Sequence, residues 1–289
     1  MAPLATAELD AIQQLLLACG QQARQAATQV FEVFEKGQDD YVTSVDRALD
    51  QQLFQGFSRW FPQDGIITEE NVASQSAFDQ RHKRLWLIDP IDGTDNFIKQ
   101  GRFYAIMVGL LQQSRPQAGW IYAPALDRLY WGGPDWGLFQ AEAGNSYPLK
   151  PQPPEDTLRC DRILLGDKDR RRFGDAIARH SAALPWDAVG SFGLKVLAVM
   201  QGKASLYLYL NGRVKLWDTT GPLALATTAG LTCCDLAGNP IRFDGNAVDQ
   251  QTLTHHQAIL IGWPRRVDVL RPQIKRAVAE VLATETPVT

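Results

Sequence analysis

The residues best suited to chemistry lie between Trp86 and Phe97, in the run WLIDPIDGTDNF. There an apolar strand runs into two acids three residues apart, Asp89 and Asp92, with Gly93 and Thr94 directly behind them. Carboxylates gathered at a strand end repel one another unless a divalent ion neutralises them, and Mg2+ takes oxygen ligands that include backbone carbonyls such as that of Ile91. The Gly-Thr pair is placed to open a helix whose free N–H groups accept a phosphate. Asp-Pro and Asp-Gly dipeptides are also ordinary turn formers. Two further acidic clusters weigh against that bland alternative: Glu69 and Glu70 follow a second apolar run, and Asp218, in Trp217-Asp218-Thr219, precedes a helical pattern.

The elements that must carry these groups are legible around them. Ile12, Leu16, Cys19, Ala23, Ala26, Val30 and Phe34 recur at helical spacing, and Gly37 stands where such a helix would stop. Thr43 followed by Asp46 resembles a capping box, which puts Asp46 in the first turn of a second helix carrying Leu49, Leu53, Phe57 and Trp60. Residues 65–68 and 85–88 read as strands delivering carboxylates, and 105–111, 119–122 and 128–131 as an antiparallel meander. Four prolines within 148–154 can propagate neither helix nor central strand, so a seam is expected near residue 150. This divides the chain into an α+β lobe over 1–150 and an α/β lobe over 151–289. In the second, runs at 163–165, 206–210, 231–234 and 258–261 alternate with helical patterns at 170–184, 194–201, 222–229 and 267–282.

Composition narrows the function. A 289-residue chain with 45% hydrophobic and 21% charged residues is neither disordered nor a coiled coil. With 29 Lys plus Arg against 32 Asp plus Glu, it lacks the basic field that polymeric nucleic acid requires, while small ligands remain open. No stretch approaches the roughly 20 apolar residues of a membrane span, and MAPLATAELD has no signal-peptide pattern, so the cytoplasm is the expected compartment. Cys19, Cys160, Cys233 and Cys234 show no CxxC spacing and read as reduced core thiols. His82, His180, His255 and His256 lack carboxylates at ligand spacing and read as surface or strand-edge residues. The Arg170-Arg171-Arg172 run beside Asp167 and Asp169 reads as a solvated helix face. Neither a P-loop nor GxGxxG occurs.

Taken in order and spacing, DYVTSVD over 40–46, TEE over 68–70, DPIDGT over 89–94 and Trp217-Asp218 resemble the signatures of the inositol monophosphatase superfamily, magnesium-dependent and lithium-sensitive phosphatases. The resemblance spans nearly the whole chain. It implies an α/β layered αβαβα sandwich with the site between lobes, and two or three Mg2+ ions. Glu69, Asp89 and the Ile91 carbonyl would hold one ion, Asp89, Asp92 and Asp218 a second, and Glu69 contributes to a weaker third. It assigns water activation to Thr94 hydrogen-bonded to Asp46, phosphate binding to the N–H groups of Gly93 and Thr94, and a loop near the metals to Lys36 and Asp40. Two cations bridged by one carboxylate suit in-line displacement at phosphorus without a covalent nucleophile.

The reaction expected is hydrolysis of a small phosphorylated metabolite, an inositol monophosphate or a 3′(2′),5′-bisphosphate nucleotide, by a homodimer. Histidinol phosphate, fructose 1,6-bisphosphate and a non-catalytic binding role are the alternatives. DGTDNF resembles inositol monophosphatases, whereas SFGLK over 191–195, GKASLY over 202–207 and KLWDT over 215–219 resemble bisphosphate nucleotidases. Asp92, Lys195 and Asn211 are the expected substrate contacts, and Asn211 stands where inositol monophosphatases carry a substrate-binding Glu.

Overall fold

Ile12, Leu16, Cys19 and Ala23 form the buried stripe of helix α1, Thr6–Ala26, in a computed structural model that describes residues 4–37, 40–78, 82–154, 162–181 and 190–285. The helical spacing continues in sequence to Phe34, but the helix does not. Val30 is fully exposed, and Val33–Gly37 is a strand, β1, paired antiparallel with β2, Asp40–Thr43. Thr28 turns its hydroxyl back onto the Gln25 carbonyl at 2.8 Å, and β-branched Thr28, Val30 and Val33 favour extended backbone over another helical turn. Gly37 therefore ends a strand and caps no helix. Helix α2, Ser44–Trp60, starts as its sequence predicts: the Thr43 hydroxyl accepts the N–H groups of Val45 and Asp46, and the Asp46 carboxylate accepts that of Thr43 at 2.9 Å.

Helices α1 and α2 cover one face of a seven-stranded sheet. Its strands lie side by side in chain order: β3 Gly65–Thr68, β4 Arg84–Asp92, β5 Ala105–Gln112, β6 Arg115–Ala123, β7 Arg128–Gly133, β8 Gly137–Glu142 and β9 Asn145–Pro148. Strands β3 and β4 are parallel and every later pair is antiparallel, so the expected meander is present and runs two strands further. The period of two sorts the side chains. Trp86 and Ile88 pack under α1 and α2, where the Trp86 ring lies 4.5 Å from that of Phe61 and 5.0 Å from that of Phe57. Leu85 and Leu87 face the other way.

On that other side lie α5, Phe192–Met200, and α6, Leu216–Thr228, and beyond them a four-stranded sheet of β10 Ile163–Leu165, β11 Leu206–Tyr209, β12 Thr232–Cys234 and β13 Ile259–Gly262 in the order β10-β11-β13-β12. Helices α4, Asp167–His180, and α7, Pro264–Thr284, close the outer face with Phe173, Ile177, Leu270 and Ile274. A short helix, α3, Thr94–Ile98, follows β4. The layers are thus αβαβα, as expected. Helix α6 meets the large sheet backbone to backbone: a Cβ on Gly221 would lie 2.5 Å from the Val108 carbonyl oxygen, and one on Gly119 would lie 2.2 Å from that of Gly221.

Several local expectations need correction. Helix α6 begins at Leu216, not Pro222, because the Asp218 carboxylate accepts the Lys215 N–H at 2.7 Å and caps the first turn. His255 is 1% exposed and hydrogen-bonded, not a surface residue. Asp169 is fully buried and accepts the Leu210 N–H at 2.8 Å, although Arg170, Arg171 and Arg172 beside it are exposed as expected. Cys19 and Cys234 are buried free thiols and Cys233 is half-buried, whereas Cys160 and the predicted helical end at Leu184 lie outside the described residues. Among the described residues, no helix is long and apolar enough to cross a membrane.

Candidate active site

Two acids three apart on a regular strand would point to opposite faces. Strand β4 avoids this with a bulge: Asp89 pairs with Met107 while Asp92 pairs with Ala105, so three steps on β4 match two on β5. Asp89 keeps the direction of Leu85 and Leu87, toward α6, and the bulge brings Asp92 round beside it. From the opposite layer, the first turn of α6 delivers Asp218. Carboxylate oxygens of Asp89, Asp92 and Asp218 all lie within 4.8 Å of one another.

Such a cluster is costly as it stands. Burial, reinforced by the charges of Glu69, Asp92, Asp218 and Asp46, pushes the Asp89 carboxyl well above its ordinary range. Asp218 is raised by burial and then by Glu69 and Asp92. Asp89 Oδ1 is buried without a hydrogen-bond partner. A buried carboxylate with one orphaned oxygen, grouped with two other acids, fits a hard divalent cation, whose oxygen preference and charge answer both defects.

Asp92 is held differently. Its carboxylate accepts the Phe192 N–H at 3.0 Å, the Gly193 N–H at 2.8 Å and the Ser191 hydroxyl, all at the start of α5. Burial raises its pKa and these donors lower it. An ionised carboxylate offers about four acceptor positions, so capacity remains for a further ligand.

Gly93 turns the chain from β4 into α3 at φ +93°, in the left-handed region that favours glycine, and a Cβ there would lie 3.0 Å from the Phe103 carbonyl oxygen. The turn aims Thr94 back at α2. Its Oγ1 lies 3.0 Å from Asp46 Oδ1 and 3.0 Å from the Ile91 carbonyl oxygen. Asp46 accepts on its other oxygen from the Thr43 N–H and hydroxyl. Burial raises the Asp46 pKa against those hydrogen bonds.

Glu69 and Glu70 sit at the end of β3, where Lys36 of β1 donates to Glu69 Oε1 at 2.9 Å and to Glu70 Oε1 at 2.8 Å. Burial and the Glu69 charge push Glu70 up to about 7. Asp50 accepts from the Thr68 hydroxyl at 2.9 Å and the Glu70 N–H at 3.1 Å, which fixes the backbone that presents both acids.

Lys195, an expected substrate contact, is buried, only 4% exposed. Its ammonium donates to the Gly190 carbonyl at 2.8 Å and lies 5.3 Å from the centre of the Tyr207 ring. Burial pulls its pKa down to about 8 against the fields of Asp92, Asp167, Asp169 and Asp218. Asn211 lies on the loop between β11 and α6, where its Oδ1 accepts the Arg213 N–H at 3.1 Å. Sequence reasoning missed Asp50 and Ser191. Asp50 stands one helical turn from Asp46, and Ser191 is the N-cap of α5, so both carried a local signal.

A family model described as the inositol monophosphatase family matches residues 5–265. The fructose-1,6-bisphosphatase/inositol-1-monophosphatase of Aquifex aeolicus (strain VF5) is 32% identical over 200 residues, which is 68% of this chain and 72% of that protein. The 3′(2′),5′-bisphosphate nucleotidase CysQ of Escherichia coli (strain K12) is 26% identical over 237 residues, 81% of this chain and 93% of that protein. Among solved structures, an IMPase/NADP phosphatase complexed with NADP and Ca2+ matches with a TM-score of 0.77 at 21% identity, over 94% of this chain and 97% of that one, which speaks to the fold.

Proposed function

Because the chain belongs to the inositol monophosphatase family, a family of phosphatases, we propose that it hydrolyses a small phosphorylated metabolite in a Mg2+-dependent reaction. The observation that carries this is the convergence of Asp89, Asp92 and Asp218, with one Asp89 oxygen buried and partnerless. In this reading Glu69, Asp89 and the Ile91 carbonyl would hold one ion, and Asp89, Asp92 and Asp218 a second. Ions held there would supply charge neutralisation for the carboxylates and for the phosphoryl oxygens.

The protein's own groups do the rest. A water hydrogen-bonded to Thr94 Oγ1 attacks phosphorus as the ester P–O bond breaks, and the departing ester oxygen takes a proton from solvent to leave as the alcohol. Its proton passes to Thr94 Oγ1 while the Thr94 proton passes to Asp46 Oδ1, 3.0 Å away. The upward shift of Asp46 makes its carboxylate a better acceptor for that proton. The N–H groups of Gly93 and Thr94 hold the phosphate, and Asp92, Lys195 and Asn211 contact the rest of the substrate at the seam between lobes 1–150 and 151–289.

Within this class the reading favours a 3′(2′),5′-bisphosphate nucleotide over an inositol monophosphate. A buried ammonium held beside Asp92 complements a second phosphate that inositol monophosphate lacks, and Asn211 supplies no carboxylate for an inositol hydroxyl. The test is phosphate release from 3′-phosphoadenosine 5′-phosphate and from inositol 1-phosphate, with Mg2+ and with EDTA. Higher kcat/KM on the nucleotide, lost on chelation, is expected; full turnover in EDTA would refute the metal-dependent reading, and preference for inositol 1-phosphate the nucleotide assignment.

A further inference from the structure

Asp218 reaches the acidic cluster from the first turn of α6, and what fixes that turn is a separate segment, residues 249–255. The segment is first closed on itself. Asp249 Oδ1 accepts the N–H groups of Gln251 at 3.0 Å and Thr252 at 2.7 Å, the Leu253 N–H donates to the Asp249 carbonyl at 2.8 Å, and the Asp249 N–H donates to the Thr254 carbonyl at 2.9 Å. Leu253 takes φ +54°, a left-handed conformation that the surrounding bonds must hold in place.

The closed turn then grips the start of α6. The Leu216 N–H donates to the Leu253 carbonyl at 3.0 Å, the His255 N–H to the Val214 carbonyl at 3.0 Å, and Lys215 Nζ to the Thr252 carbonyl at 2.9 Å and Thr254 Oγ1 at 2.7 Å. The last contact is made by side chains alone. His255 Nε2 lies 2.8 Å from Oγ1 of Thr219, the residue next to Asp218, with the His255 ring edge-on to Phe243 at 5.0 Å. Both His255 and Thr219 are buried. The Thr219 hydroxyl also has the Lys215 and Leu216 carbonyls within 3.3 Å, so it does not need the imidazole for satisfaction. A buried imidazole is expensive where an apolar ring would fill the space, and the bond to Thr219 is what it supplies in return.

We propose that the turn over 249–255 is the positioning element of Asp218, with His255 as the side chain that locks the first turn of α6 through Thr219. The proposal rests on the cation-binding reading of the cluster. Asp218 differs from Asp89 and Asp92 in coming from the start of a helix, across the site from the sheet that holds the other two. Repulsion within the cluster pushes this turn away from β4, and a backing that resists rotation about the α6 axis keeps the carboxylate aimed. Groups that orient a ligand in this way govern affinity without touching the ion.

Calorimetric titration of Mg2+ into the full chain tests this, alongside thermal melts that report folding. Thr219→Val and His255→Phe should each raise the Mg2+ Kd by roughly 10- to 100-fold, the usual cost of losing such a partner. The double variant should be no weaker than either single one, since both remove the same bond. Thr219→Ser and His255→Gln, which restore a hydrogen-bonding group, should recover affinity. A merely structural role would lower Tm in these variants and leave Kd unchanged, and that result would overturn the proposal. If the unmodified protein took up no Mg2+, the cation reading of the cluster would fall, and this proposal with it.

Discussion

Asp89 and Asp218 belong to different layers of the sandwich, one at the end of a strand and the other at the start of a helix, yet their carboxylate oxygens lie within 4.8 Å. The contact is set by backbone packing: Gly221 of α6 seats directly on Val108 of β5, the strand next to Asp89. The acids are neighbours because two glycine-lined surfaces meet without intervening side chains.

Asp89→Asn should be the most damaging single change, since this carboxylate serves both cation sites of the proposed centre. We expect kcat/KM to fall by about 10³-fold or more, judged from the cost of losing one electrostatic contact to a transition state. Phosphate release and Mg2+ calorimetry on the same preparation check it, and both signals should be lost together.

Thr94→Ala separates proton transfer from cation binding. The variant should lose roughly 10²- to 10⁴-fold in kcat, the range for removing general acid-base assistance, with its Mg2+ isotherm little changed. Loss of Mg2+ binding in this variant would contradict the role given to the hydroxyl.

Lys195→Met keeps most of the buried volume and removes the charge. It should narrow the difference between 3′-phosphoadenosine 5′-phosphate and inositol 1-phosphate, chiefly through KM for the nucleotide. Equal effects on the two substrates would show that the ammonium does not read the second phosphate.

Gly221→Ala places a methyl group 2.5 Å from the Val108 carbonyl oxygen, and the atoms it meets are the backbone of β5, which cannot swing aside as a flexible side chain would. Overpacking of this kind costs about 1–3 kcal/mol, seen as a lower Tm. Because α6 must then lift from the sheet, Mg2+ affinity should fall as well.

The buried His255 predicts a pH dependence of stability. Burial pulls its pKa from 6.5 down to about 4. The unfolded chain therefore binds a proton between those values that the folded chain refuses, and the sign is destabilising as pH falls. Stability from keeping the ring neutral is full above pH 6.5 and declines toward pH 4, by about 3 kcal/mol in total. Urea midpoints of the unmodified protein and His255→Gln at neutral pH and near the lower value check this, the variant losing less on acidification.

The sequence announced whatever was encoded locally. Asp89, Asp92, Gly93 and Thr94 follow an apolar strand with turn residues, and the Thr43–Asp46 capping box fixes Asp46 within its own helix, so both could be read from a few neighbours. Other features depend on partners far along the chain. The α1 periodicity ran on through Val30 and Phe34 because a hairpin residue and a helix residue can be equally apolar. Pro222 suggested a helix start, but the true start is set by the Asp218 cap and the 249–255 turn. Asp169 and His255 looked like surface residues because their buried surroundings are assembled by several elements.

The seat of α6 on the large sheet also bears on the order of events during folding. Asp89 completes its strand among near neighbours, whereas Asp218 can join it only once α6 has docked on the large sheet. Contacts of such long sequence separation are slow to close, because loop entropy is lost before they return anything. The three-carboxylate cluster therefore exists only once α6 is seated, and a cation that needs all three acids cannot act before that contact closes. Its uptake then reports the docking of α6 on the sheet.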